Sequence, residues 1–222
     1  MPNDTSHRRR LSDRDLDFLV DVAAPDVSNK SDLKGILRED IEYCRSFIAD
    51  DNVFRRVMDD DEIVVKISPA LFFEILLRHA AKELLKVSYT LEKSRTMSIP
   101  IFDARDLVGL LSEPSIVVYL ADMLSSFTRV ESYSFTFRIG QGVWKKIRFN
   151  DMDVNSLIQF SEVLEEDYRL GLYKRIADIC LFILGIFPDY AEGDYRYALS
   201  GDIRPQMAGR ARISPEEYEQ KG

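Results

Sequence analysis

The stretch that decides the fold is ESYSFTFRIGQGVWKKIRF, residues 131–149. Tyr133, Phe135, Phe137 and Ile139 alternate strictly with Ser132, Ser134, Thr136 and Arg138. A two-residue period of this kind marks a β-strand with one covered face. Gly140-Gln-Gly142 then supplies a three-residue turn with glycines for a positive φ. Val143, Ile147 and Phe149 resume the apolar side, and Trp144, Lys146 and Arg148 the other. Lys145 interrupts the apolar side close to the turn, where it can still reach water. The expectation is an antiparallel hairpin whose apolar face covers helices. Its other face carries the candidate binding residues Arg138, Trp144, Lys146 and Arg148.

On both sides of this stretch the spacing is helical. Ser12 with Asp15 forms a capping box, and Leu16, Leu19, Val20 and Ala23 follow on one face until Pro25. Leu33, Ile36, Leu37, Ile41, Cys44 and Ile48 predict one amphipathic helix from Ser31, and 52–58 adds further turns. Residues 63–67 read as a short strand or extended connector. Ser68-Pro69 is a strong helix start, and that helix is expected to run to about Lys93. A short helix follows Asp103, and another covers Pro114 to Phe127, apolar almost all round and so expected in a core. Beyond the hairpin, Asn150, Asp151 or Asp153 caps a helix with Val154, Leu157, Ile158, Ser161 and Leu164 inside. The most apolar helix, 168–187, is expected at the centre of the bundle and ends at Pro188.

The fold class that results is mainly α: a bundle of about six to seven helices with one inserted hairpin at 131–149. Residues 1–11 (MPNDTSHRRRL) are expected to form a disordered tail, 12–188 a single helical domain, and 189–222 a connector with a short helix capped at Ser214. That last helix is announced only two turns before Gly222, so a longer natural chain is expected or a short docked end.

Composition narrows the function classes. The 222 residues are 45% hydrophobic and 31% charged, with a net charge of −8. An acidic balance argues against nucleic-acid or membrane binding driven by overall charge. The stretch 129–149 runs against it: Arg129, Arg138, Lys145, Lys146 and Arg148 face only Glu131, a local +4. Cations beside an aromatic can follow a phosphate backbone and stack a base, or meet an acidic protein. The plainer alternative is a solvated sheet face, where Lys and Arg also discourage edge pairing. Cys44 and Cys180 lie in apolar segments and read as free buried thiols. The basic N-terminus has no apolar core, and 176–187 is too short to span a bilayer. A cytoplasmic location is therefore expected, with no membrane partner.

The remaining motifs are weak in chemistry. His79 falls on an apolar helix face, the only other histidine is His7, and packing explains it better than catalysis. Asp59, Asp60, Asp61 and Glu62 lack the spacing of a calcium loop and read as a solvated turn. The order of helix 103–111, helix 114–127 and hairpin resembles a winged helix-turn-helix. The second of these helices (PSIVVYLADMLSSF) offers no Lys or Arg for a groove, so the likeness is one of element order. Glu162, Glu165 and Glu166, followed by Arg175 and Asp178, resemble the all-α nucleoside-triphosphate pyrophosphohydrolases. That resemblance implies a Mg²⁺-dependent hydrolase, and it departs where Arg175 replaces a ligand Glu. No Gly-x-Ser-x-Gly, phosphate-binding Gly-rich loop or dinucleotide fingerprint is present. The sequence thus points to a non-enzymatic protein-interaction or regulatory module, with no cofactor, no metal ligands and no catalytic residues assigned. A protein partner is expected, nucleic acid through the hairpin is the alternative, and a homo-oligomer through a helix face is left open.

Overall fold

The computed structural model describes residues 11–87, 89–93, 98–101, 104–130, 132–140, 142–163 and 166–187. Of the expected disordered tail (1–11), residues 1–10 lie outside the described residues, and Leu11 is no part of a free tail, because it packs partly buried against the apolar core. The expected C-terminal segment (189–222) also lies outside the described residues. The protein is mainly helical, with ten helices among the described residues. The chain divides into two compact units, Met1–Val130 and Glu131–Gly222.

In the first unit, α1 (Asp13–Ala23) starts on the expected capping box. Asp15 N–H donates to Ser12 Oγ at 3.1 Å, and Ser12 N–H donates back to Asp15 Oδ2 at 3.1 Å. The single helix expected over 31–48 is two: α2 (Lys30–Glu39) and α3 (Ile41–Ile48). Asp40 divides them. Its backbone is extended, and its carboxylate takes Tyr43 N–H at 2.9 Å, so it ends one helix and caps the next. Asp50 caps α4 (Asp51–Asp59), its Oδ1 accepting Asn52 N–H at 2.7 Å, after α3 has closed at Ala49.

The connector at 63–67 is a helical turn, α5 (Ile63–Lys66), not a strand. Asp60 decides this locally: Oδ1 accepts Glu62 N–H at 3.1 Å and Lys66 Nζ at 2.9 Å. Helix α6 (Pro69–Leu84) has the expected Ser68 cap but stops nine residues before Lys93. The apolar spacing that suggested a longer helix ends in VSYTL, 87–91, a run better suited to extended backbone. There β1 (Thr90–Lys93) pairs antiparallel with β2 (Ser98–Ile101), Leu91 opposite Pro100. Proline is tolerated because a two-stranded ribbon consists of edges.

The buried apolar cluster of this unit runs through α1 to α6: Leu16, Leu19, Val20, Leu37, Ile48, Val53, Ile67, Leu71 and Ile75 are among its members. Helices α7 (Ala104–Leu111) and α8 (Pro114–Ser126) pack against α6. Helix α8 buries Val117, Ala121 and Met123 and leaves one stripe in water, with Tyr119 39% exposed and Asp122 and Ser126 beside it, so it is covered on most sides but not all round.

In the second unit, β3 (Ser132–Gly140) runs antiparallel to β4 (Val143–Asn150). Gly142 takes the turn at φ 80, the left-handed region where a side chain would be strained. Helix α9 (Val154–Val163) starts at Asp153, whose Oδ1 accepts Ser156 N–H at 3.3 Å. It packs on α10 (Glu166–Ile186), burying Val154, Leu157, Ile179 and Ile183. The expectation of α10 at the centre of a bundle fails. Leu170, Leu184 and Ile186 are 76%, 60% and 53% exposed, because only one side of the helix meets α9. Among the described residues no single helix is long and apolar enough to cross a membrane.

Candidate functional site

Strand pairing fixes which sequence-selected residues stand together in β3 and β4. Arg138 is opposite Trp144, Thr136 opposite Lys146, and Ser134 opposite Arg148. Residues two apart on one strand, and residues directly opposite on its neighbour, share a face. The register therefore places Arg138, Trp144, Lys146 and Arg148 on one face, with an irregularity between Arg138 and Gly140. The side chains of Arg138, Lys146 and Arg148 lie outside the described residues, so backbone register alone locates them. Trp144 is described, and it is 63% exposed. A tryptophan is normally among the better buried residues, so this one stands out from scattered exposed leucines.

Two carboxylates of the second unit, Asp178 and Asp151, are engaged by cations. Asp178 is buried, and Lys174 Nζ donates to its Oδ2 at 2.7 Å. Arg175 reaches the turn ahead of α9, donating to the Asp151 carbonyl at 3.0 Å and to Asp151 Oδ2 at 2.7 Å. Glu162 and Glu166 are exposed, and Glu165 lies outside the described residues. Among the described residues no three or more His, Cys, Asp or Glu gather where a metal ion could bind.

In the first unit His79 is half-buried and stacked on Phe54, ring centroids 3.4 Å apart and 6° from parallel. Its Nε2 lies 3.8 Å from Glu83, while Nδ1 is buried with no hydrogen-bond partner among the described residues. This is a packed histidine between two helices. The acidic run 59–62 is more organised than a solvated turn. Asp60 is only 9% exposed at its side chain and lies 2.8 Å from Lys66 and 3.4 Å from Arg56. The Lys66 hydrogen bond holds the Asp60 carboxyl below the usual carboxylate range. Cys44 is buried as expected, and burial, with Glu74 beside it, pushes its thiol up to about 11. A thiol so raised is inert near neutral pH. Cys180, expected to be buried as well, is only partly covered.

Two groups escaped the sequence reading. Glu74, buried in α6, accepts from Arg78 Nε at 3.0 Å and Nη2 at 2.7 Å. An acid four residues before an arginine inside an apolar stretch was the available signal. The second group is the outer stripe of α10, Leu170, Tyr173, Ala177, Leu181 and Leu184. Its three- and four-residue spacing is visible in the sequence, beside the more strongly apolar inner stripe.

No model of a known protein family matches the chain, and no curated protein or solved structure matches it either.

Proposed function

We propose that the protein is a non-enzymatic binding module of the cytoplasm, and that it meets an acidic protein partner through the Trp144 face of a hairpin inserted in a mainly helical chain. The observation that carries this reading is the exposure of Trp144 at 63%, in register with Arg138. Tryptophan and arginine dominate binding hot spots, because the indole offers wide contact area with little entropy to lose and the guanidinium a rigid fork of donors. Lys146 and Arg148 follow at two-residue steps, about 7 Å apart along the strand. They give this face a sign opposite to the chain's net −8, which favours an acidic surface at encounter.

In chain order α7 and α8 precede the hairpin, which is the element order of a winged helix-turn-helix over 103–149. With no Lys or Arg on α8, binding belongs to the hairpin and not to a groove-reading helix. Affinity capture from a native lysate tests it, comparing wild type with the triple variant Trp144→Ala, Lys146→Glu, Arg148→Glu. A protein retained by wild type and lost from the variant supports the proposal. An identical or empty set on both rejects it. Capture that disappears on nuclease treatment and weakens steeply with salt moves the function to nucleic acid.

A further inference from the structure

Helix α10 is apolar on two opposite sides, and among the described residues only one of them is covered. Ile179 and Ile183 are buried on the side toward α9. Leu170, Tyr173, Leu181 and Leu184 are 76%, 50%, 45% and 60% exposed, and Ala177 between them is exposed too. At about 100° per residue these five positions fall within about 40° of one line along the helix, some 21 Å long. A helix apolar all round belongs inside an assembly or a core.

The order of the stripe says what would cover it. Counted from Ala177, its members stand at −7, −4, 0, +4 and +7. The pattern reads the same in both directions, which is the requirement for a surface that meets its own copy across a two-fold axis. In an antiparallel pair centred on Ala177, Leu170 meets the second copy's Leu184, Tyr173 meets Leu181, and the two alanines let the axes approach. The charges agree with that direction. Glu166, Asp167, Arg169, Lys174, Arg175 and Asp178 all lie in the first part of α10, and 179–187 carry none. Antiparallel pairing lays each charged half along an uncharged half and opposes the two helix dipoles. Parallel pairing would set Glu166 against Glu166 and Lys174 against Lys174. Lys174, the cation nearest the stripe, is paired with Asp178 at 2.7 Å. Exposed Glu166 falls on the same line one turn before Leu170, where it marks the end of the apolar seam. An anionic lipid surface is a poor alternative for a chain of net charge −8.

We infer that α10 is a self-association helix, joining two copies of the chain antiparallel through Leu170, Tyr173, Ala177, Leu181 and Leu184 with Ala177 on the two-fold axis. This holds whether or not the hairpin binds a partner. Covering these side chains on both copies removes on the order of 900 Å² from water, the size of a weak, concentration-dependent interface.

Sedimentation equilibrium of the full chain from about 1 to 300 μM should show a weight-average mass rising from 25.6 kDa toward twice that value. Leu184→Asp should hold the mass at that of the monomer over the whole range, with an unchanged circular dichroism spectrum. Because a charged variant could misfold, a second measurement uses Ala177→Cys in a Cys180→Ser background. Residue 177 meets itself, so diamide should convert this protein to a disulfide dimer. Leu170→Cys in the same background, with copies about 21 Å apart along the axis, should stay monomeric. A wild type that remains at 25.6 kDa throughout overturns the proposal and leaves the stripe to another segment or a different protein. Equal cross-linking at 170 and 177 overturns the antiparallel register, since only a parallel pair brings residue 170 to its own copy.

Discussion

Removing the Asp15 carboxylate should destabilise the first unit far more than the loss of an ordinary helix cap. Asp15 is only 1% exposed and serves two helices at once. Oδ2 accepts Ser12 N–H at 3.1 Å and Ser12 Oγ–H at 2.8 Å, closing the capping box of α1. Oδ1 accepts Ser68 N–H at 2.7 Å, and Ser68 is the N-cap of α6. Asp15→Ala removes the box, worth about 1 kcal/mol, and strips Ser68 of a charge-assisted bond worth about 1.5–3 kcal/mol. The expected loss is about 2.5–4 kcal/mol, which is a large share of a domain's stability. Asp15→Asn keeps one acceptor and should lose roughly half as much. Urea unfolding followed by circular dichroism at neutral pH measures both, with the m-value unchanged. A loss under about 0.5 kcal/mol for Asp15→Ala would refute the reasoning, since it would mean that water replaces the carboxylate at both helix starts.

Three further outcomes follow from the same unit. Arg78→Ala removes the guanidinium that buried Glu74 holds at 2.7 Å and should cost about 3 kcal/mol, whereas Glu74→Leu with Arg78→Met should recover most of that in the same urea assay. His79→Phe keeps the stack on Phe54 and deletes the buried, unpartnered Nδ1, so stability should hold or rise by about 1 kcal/mol, while His79→Ala should cost about 2–3 kcal/mol. A large loss in the Phe variant would show that the ring nitrogens matter beyond packing. Asp60 and Lys66 make stability pH-dependent at both ends. The folded Asp60 carboxyl lies below its ordinary 3.8, so its contribution is present above 3.8 and is lost as pH falls through the lower folded value. Lys66 lies above its ordinary 10.5, so its contribution is present below 10.5 and is lost as pH rises through the higher folded value. Melting temperatures from pH 2 to 11 should show both limbs flattened by Asp60→Asn, and a variant curve parallel to wild type would count against the pair.

The sequence by itself determined the helical character of the chain and where most helices begin. The starts of α1 at Ser12 and α6 at Ser68-Pro69 depend on contacts three residues apart, and such contacts are written in the local residues. It also placed His79 against apolar neighbours and Cys44 inside. Breaks that arise when one carboxylate outcompetes a running helix were less legible: Asp40 divides α2 from α3, and Asp60 winds 63–66 into a turn although the residues favour strand. Only the tertiary structure decided what depends on residues far apart in the chain. Asp15 reaches Ser68 across 53 positions, Phe54 finds the His79 ring, and 90–93 leaves a helical pattern because 98–101 is there to pair with it. The same holds for α10. Periodicity shows that its two sides are apolar, but which side stays in water depends on where α9 packs, since burial belongs to the pair of surfaces and not to either sequence alone.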